Sequence, residues 1–396
     1  MDSQNLCRIA HNGVVERECP GLRYYEFFAG GGLARLGLGP AWHCLFANDI
    51  SPIKARAYRA AFGEAVLHQG DIAQVAPSDL PGRADLAWAS FPCQDLSLAG
   101  PRAGLAGARS GLFWDFWRLI LALDQQNRGP AIIAIENVRG LLTSRGGADF
   151  TDLIEALAAS GRWVGALELC ASHFTPQSRP RVFLIAARAP RACLIDMAPS
   201  ASLHSAAMRA AVANLPPLAR RQWVWWHLAI PPKRNTSLAD LLLADDAQGM
   251  EWDTPEKTAH LLALMAPRAR QELADQARSG ARRVGAVFRR MRRGSTGASV
   301  QRCEVRFDGL AGCLRTPRGG SSRQGLLIIE GAQTRSRLLH PRECARLMGV
   351  SDAHPLPERP SAALSLLGDG VSVPVVDWLQ AHLLAPLARG EGLAIA

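Results

Sequence analysis

Strand-length apolar runs alternate with helix-length stretches through the first half of the chain, and most of the runs stop at a residue equipped for chemistry. The runs lie near 23–28, 42–47, 85–90, 130–135, 163–170 and 181–187, with helical patterns at 54–62, 112–126 and 150–160 between them. This alternation predicts an α/β fold built on a mostly parallel, doubly wound sheet. In such a sheet ligands gather at the carboxyl ends of the strands. The glycines 30–32, Asn48-Asp49, Cys93 and Glu136-Asn137 all fall at such ends, and Gly70-Asp71 follows a further short strand candidate.

The pattern loosens after residue 190. An alanine-rich stretch, the tryptophans Trp223, Trp225 and Trp226, a Pro231-Pro232 break and the arginine-dense run 282–293 replace it. We expect a lead-in at 1–20, a first domain at 21–189, a smaller second region at 190–324 with the tryptophans in its core, and a C-terminal segment at 325–396 that returns to the first domain. Helices are expected at 341–348 and 372–383. The 396 residues carry a formal net charge of +10, which suits a polyanionic partner. Charge alone does not separate DNA from RNA, an acidic lipid surface or an acidic protein. Nine cysteines without a C-x-x-C pair fit a reducing cytoplasm and no structural zinc. No apolar run reaches the length of about 18 residues that a membrane span needs.

A glycine turn between a strand and a helix lets the backbone approach a ligand, although a plain tight turn needs the same residues. Its spacing departs from G-x-G-x-x-G, so a nucleoside without phosphates fits better than a dinucleotide. Asp49 is placed to accept from ribose hydroxyls, and Asp71 to reach an adenine amino group. Cys93 stands out among the nucleophile candidates. A free thiol is only a few per cent ionised at neutral pH, and nearby arginines enlarge that fraction. An isolated cysteine is more commonly a buried hydrophobe, so its neighbours decide. Carbon 5 of cytosine becomes nucleophilic only after a thiolate adds at carbon 6. A carboxyl group such as Glu136 relieves the charge at ring N3, and Arg181 can bind the carbonyl O2.

The ordered blocks FFAGGG (27–32), Asn48-Asp49, Gly70-Asp71-Ile72, SFPCQDLS (90–97), ENV (136–138), QSRPR (177–181), RECARLMG (342–349) and GDGVSVPVV (368–376) resemble the bacterial-type DNA cytosine-C5 methyltransferases. The resemblance implies a Rossmann-like S-adenosylmethionine-dependent methyltransferase domain plus a smaller DNA target-recognition domain. It implies that Cys93 attacks the base, Glu136 engages N3, Arg181 contacts the cytosine and Arg179 supports the pocket. Phe28, Gly30, Gly32, Asp49 and Asp71, with the flanking Ile50, Ile72 and Pro92, match positions around S-adenosylmethionine, whose product is S-adenosylhomocysteine; no metal is implied. The segment 94–110 corresponds to a loop closing over an extruded cytosine, with Gln94 and Ser97 on the DNA. Three departures stand out: Leu33 after the glycine run, Met348 for a common glutamine, and Asp369 where an amide often bridges the domains.

Methylating a base inside a duplex requires flipping it out, at a cost of a few kcal/mol. Arg102 and Arg109 are candidates for loop contacts that offset this cost. Arg289 and Arg290, in the densest basic run, are expected chiefly on phosphates. Arg318, Ser321, Ser322 and Arg323 lie in a second DNA-facing candidate, LRTPRGGSSRQ (314–324). The reading is of a monomer acting on double-stranded DNA in a bacterial cytoplasm, at the nucleoid, with a cognate restriction endonuclease or defence system as a companion and no membrane partner. The rivals are an RNA or tRNA cytosine-C5 methyltransferase, a non-catalytic DNA-binding descendant and, less well supported, a nicotinamide dehydrogenase.

Overall fold

The computed structural model describes residues 21–91, 111–293, 297–317 and 323–390. The lead-in at 1–20 and the site candidates Pro92, Cys93, Gln94, Ser97, Arg102, Arg109, Arg318, Ser321 and Ser322 lie outside the described residues.

Strands β1 (Leu22–Phe27), β2 (Trp42–Asp49), β3 (Leu67–Gln69), β4 (Leu86–Ala89), β5 (Ile132–Val138), β6 (Trp163–Cys170) and β7 (Pro180–Ala187) form one seven-stranded sheet. Their order is β3-β2-β1-β4-β5-β7-β6, parallel from β3 to β5, with β7 antiparallel to both of its neighbours. Helices α1 (Leu33–Leu38), α2 (Pro52–Phe62), α3 (Leu112–Gln125) and α4 (Ala148–Ala159) connect the strands. Successive strand side chains point to opposite faces, so the central strands feed two apolar layers. Tyr24, Trp88, Ile132 and Ala134 enter one layer; Tyr25, Phe27, Ile133 and Ile135 enter the other, packed with Phe116 and Leu119 of α3. Both faces being covered explains why 130–135 reads as an unbroken apolar run. Ser51 caps α2 by accepting from the Lys54 amide, with Pro52 in the first turn.

The next part of the chain stays on this sheet. It forms the two-residue strands β8 (Ile195–Asp196) and β9 (Trp225–Trp226) and the helices α5 (Ala206–Ala213) and α6 (Pro217–Arg221). The tryptophans therefore do not form the core of a separate small domain. Val164 of the edge strand β6 donates its amide to Gln222 and accepts from Val224. Trp226 sits so close to Gly165 that a Cβ there would fall 2.5 Å from its Nε1. The cluster covers an edge that would otherwise expose unpaired backbone groups.

Helices α7 (Pro255–Ala263) and α8 (Pro267–Ala277) precede a second, antiparallel sheet. Its strands β10 (Arg283–Arg293), β11 (Ser299–Arg306), β12 (Gly325–Glu330) and β13 (Gln333–Leu338) lie in the order β11-β10-β12-β13. The strand expected at 325–330 to lead back to the first domain pairs instead with β10, its apolar run completing this sheet. Met265, Val287, Cys303 and Leu327 form a small core on one side; Ala286 and Leu326 join the large core on the other. The return comes at α9 (Pro341–Leu347), followed by α10 (Pro360–Asp369), α11 (Val373–Leu379) and α12 (Ala385–Arg389). By length and composition Pro360–Arg389 is apolar enough to cross a membrane. In this fold Leu366, Leu367, Val376, Leu379, Leu383 and Leu384 of that stretch are buried in the large core.

Candidate active site

The glycine turn leaves β1 through Phe28, a non-glycine residue at φ 57°, and continues with Gly30 at φ 58° and Gly32 at φ 77°. These left-handed values favour glycine. Gly30 also faces open space, with Lys54 Cδ at 4.0 Å the nearest atom to a hypothetical Cβ. The Gly30 amide donates to Asp49 Oδ2 at 2.8 Å and the Ser51 amide to Oδ1 at 2.8 Å. Asp49 thus fixes the turn to the end of β2 and keeps free lone pairs on each oxygen. Ile50 beside it is 66% exposed, an apolar face at the strand end. Asp71 accepts from the Ala73 amide, and Ile72 behind it is buried.

Glu26, one residue inside β1, is fully buried, and neither carboxylate oxygen has a hydrogen-bond partner among the described residues. Burial pushes its carboxyl up to about 8; Arg35 pulls it partly back and Asp49 adds to the rise. An orphaned buried carboxyl beside a backbone cradle, with Asp49 and Asp71 at adjacent strand ends and an exposed aliphatic face, fits a nucleoside that also carries a cationic group. S-adenosylmethionine has that chemistry. Among the described residues no group of three or more His, Cys, Asp or Glu is placed to hold a metal.

The second half of the site lies at the ends of β4, β5 and β7. Asn137 donates from Nδ2 to the Phe91 carbonyl at 3.2 Å, and its Oδ1 accepts from Val138 N–H. The side chain that ends β5 therefore anchors the backbone that leads to Cys93. Phe91 and Phe28 meet edge to face at 5.9 Å, joining this anchor to the donor turn. Glu136 is 7% exposed and ion-paired with Arg181, its Oε1 at 2.9 Å from Arg181 Nε. The register Val138↔Arg181 across the antiparallel β5–β7 pair brings the two together, although 45 positions separate them in the sequence.

Arg179 has a different surrounding. Fully wrapped, it donates through Nη1 to the Leu314 carbonyl at 3.0 Å and to Cys313 Sγ at 3.3 Å. Through Nη2 it donates to the carbonyls of Gly368 at 3.0 Å and Gly370 at 2.5 Å. Burial, and then repulsion from Arg181, hold this guanidinium below its usual value. Gln177, also buried, donates to the Leu347 carbonyl at 2.9 Å and to Met348 Sδ at 3.3 Å, and accepts from the Leu314 amide at 3.2 Å. Asp369 pairs with Lys54 at 2.8 Å and accepts from Thr316 Oγ1. The blocks around 177–181, 311–317, 342–349 and 368–370 thus meet at one place.

The basic run divides. Strand alternation puts Arg290 and Arg292 on one face, both ion-paired with Glu304, and Arg290 over the Phe288 ring. Arg289 and Arg293 stand on the other face, exposed. Arg282 lies outside this surface, tied to Asp245 at 2.8 Å and to Glu330. Arg323 is exposed just before β12. Sequence reasoning passes over Glu26, Gln177 and Cys313. The only signal for Cys313 is its place in the basic stretch AGCLRTPR.

A family model described as C-5 cytosine-specific DNA methylase matches residues 22–384. The chain is 25% identical over 370 residues to type II methyltransferase M.HhaI of Haemophilus parahaemolyticus, covering 92% of this chain and 95% of that protein. It is 31% identical over 178 residues to type II methyltransferase M.BsuFI of Bacillus subtilis, covering 44% of this chain and 42% of that protein. Among solved structures, the S. pombe Dnmt2 methyltransferase superposes with a TM-score of 0.57 at 17% identity, over 92% of this chain and 99% of that one. The match to the family model takes in both sheets and helices α1 to α11, and the chain belongs to the C-5 cytosine-specific DNA methylases.

Proposed function

We propose that the chain performs its family's reaction, methyl transfer from S-adenosylmethionine to carbon 5 of a cytosine flipped out of duplex DNA, with Cys93 as nucleophile, Glu136 at N3 and Arg181 at O2. The observation that carries this assignment is the Glu136–Arg181 ion pair at 2.9 Å, beside the Asn137 anchor on the segment that leads to Cys93. When bound, the donor supplies an electrophilic methyl group on a sulfonium centre. The thiolate of Cys93 adds to carbon 6, and the displaced π electrons make carbon 5 a nucleophile. A proton carried by Glu136 is donated to N3 as negative charge develops there, and Arg181 meets the charge at O2. After methyl transfer a base such as water takes the carbon 5 proton, the freed electron pair re-forms the carbon 5–carbon 6 double bond and expels the Cys93 thiolate, and N3 returns its proton to Glu136.

Phe28, Gly30, Gly32, Asp49, Ile50, Asp71, Ile72 and Pro92 are assigned to the donor site. Arg179 braces the pocket through the backbone of 314 and 368–370. The division into a catalytic domain at 21–189 and a recognition region is also part of this proposal, with the second sheet carrying that region on to residue 338. Arg289 and Arg290 are assigned to the DNA, with Arg323, Arg318, Ser321 and Ser322 on the loop before β12. Gln94, Ser97, Arg102 and Arg109 serve the closing loop. We place the protein in a bacterial cytoplasm as a monomer on the nucleoid, with a restriction endonuclease or another defence component as companion. Transfer of label from tritiated S-adenosylmethionine into duplex DNA but not tRNA is the expected result. Preferential labelling of tRNA would overturn the choice of substrate.

A further inference from the structure

Cys313 enters the site from the loop that follows β11, far in the sequence from the expected nucleophile. Its sulfur lies 3.3 Å from Arg179 Nη1 and 3.9 Å from Arg181 Nη2. Two guanidiniums so close repel each other, and burial removes the water that would screen them. Glu136 answers part of this repulsion, ion-paired with Arg181 at 2.9 Å. The main-chain partners of Arg179 are neutral carbonyls. Glu136 pairs with Arg181 through Nε, whereas the sulfur faces Nη2.

We propose that Cys313 is a positioning residue of the methyltransferase: its sulfur, seated between Arg179 and Arg181, adds negative charge between the two guanidiniums and holds Arg181 against Glu136. The inference rests on the proposed roles of Arg181 and Glu136. Arg181 has three directed partners. Nη1 donates to the Pro180 carbonyl at 2.9 Å, Nε meets Glu136 and Nη2 faces the sulfur. Without the third, only the Nη1 bond to Pro180 resists a turn about the Cδ–Nε bond, and the charge beside Glu136 is held less firmly.

The groups around the thiol point the same way. Burial pushes the Cys313 thiol up, but Arg179, Arg181 and Arg315 together outweigh burial and bring it below its ordinary value. Glu136 stands behind Arg181, and Asp369 is occupied by Thr316 and Lys54. Two other cysteines show what burial does without arginines so close: Cys44 and Cys303 are each pushed up to about 11. The loop has little room to shift. A Cβ on Gly368 would fall 2.4 Å from the Arg315 carbonyl carbon.

The test uses the full-length protein and two readouts. In the first, iodoacetamide labelling of Cys313 is followed by peptide mass spectrometry from about pH 5 to about pH 10, spanning the ordinary thiol value near 8.5. Cys313 should reach half its maximal rate well below that value, and Cys44 and Cys303 well above it. In the second, single-turnover methyl transfer is measured with saturating donor and duplex. Cys313→Ser keeps the size but not the charge and should lose about tenfold or more, whereas Cys313→Asp restores an anion and should recover part of the loss. Donor affinity should change less than about twofold in both variants, because the donor cradle lies on β1 and β2. Should Cys313→Ser fail to fold, the labelling midpoint of the parent and the rate of Cys313→Asp decide the matter. A Cys313 midpoint in the ordinary thiol range, or a serine variant as fast as the parent, overturns the inference and leaves the methyltransferase reading standing. A parent that methylates no duplex overturns both.

Discussion

At the residue scale two buried carboxyl groups of the candidate site have opposite surroundings. Glu136 has an arginine at 2.9 Å, whereas Glu26 is buried without a partner among the described residues. Replacing Glu136 by glutamine keeps the shape but removes the carboxyl proposed to relieve charge at N3. Single-turnover methyl transfer at saturating DNA should fall more than tenfold, about 1.4 kcal/mol in barrier, with a smaller change in duplex affinity; an unchanged rate would contradict the role. Glu26 acts on stability. Its carboxyl is raised from 4.5 to about 8 in the folded chain. Between those values the unfolded chain has already released the proton that the native state keeps, so stability falls as pH rises through this window. Glu26→Gln should flatten that fall in melting temperatures of the ligand-free protein, and a variant with the parent's pH slope would refute the assignment. The pairing of Glu136 with Arg181 is legible in the sequence only as two roles in one reaction. Glu26 stays hidden there because a single acid in an apolar run reads as a strand residue, and only the fold shows that no ion pair answers it among the described residues.

At the scale of elements, the strands and helices of the large sheet are closely legible in the sequence, since a run such as 130–135, apolar on both faces, has few other destinations. Legibility ends where pairing joins distant segments. The run 325–330 has strand character in any context, and only the β10 partner reveals which sheet receives it. The tryptophans likewise read as a core, but not as the cover of the β6 edge. Strand geometry also sharpens the expectation for the basic run. Arg290 and Arg292 share Glu304, whereas Arg289 has no ion pair among the described residues. Converting Arg289 and Arg290 to alanine should weaken cognate and unrelated duplexes alike. The slope of log affinity against log salt should become shallower by roughly 0.9 for each phosphate no longer neutralised. A weakening confined to the cognate duplex, with the slope unchanged, would make these residues base readers instead. Asp369, a departure whose consequence only the fold shows, ties α10 to Lys54 on α2 and to Thr316. Asp369→Asn keeps the hydrogen bond and loses the ion pair. Because the pair is partly exposed, thermal stability should change by less than about 1 kcal/mol.

The whole molecule depends on the join between its two sheets. Arg337 of β13 makes a two-pronged pair with Glu343 of α9 at 2.7 and 2.8 Å, both side chains fully buried. Glu343 also accepts from the amides of His340 and Leu243. Removing one member of such a pair leaves an uncompensated buried charge, so Arg337→Met should cost about 3–5 kcal/mol. A double apolar replacement should not restore the loss, since the two amides would remain without an acceptor; full recovery in denaturant titrations would contradict this account of the join. The loop between β11 and β12 of the second sheet reaches the strand ends of the first, where Leu314 bonds Arg179 and Gln177 beside Glu136. The central claim is that this convergence serves covalent catalysis by Cys93. Its most direct measurement is incubation with S-adenosylmethionine and a duplex carrying 5-fluorocytosine at the target position, where fluorine blocks the final elimination. The parent protein should form an adduct that survives denaturation and maps to the Cys93 peptide, and Cys93→Ser should form none while still binding the donor. An equal yield of adduct from Cys93→Ser would contradict the account.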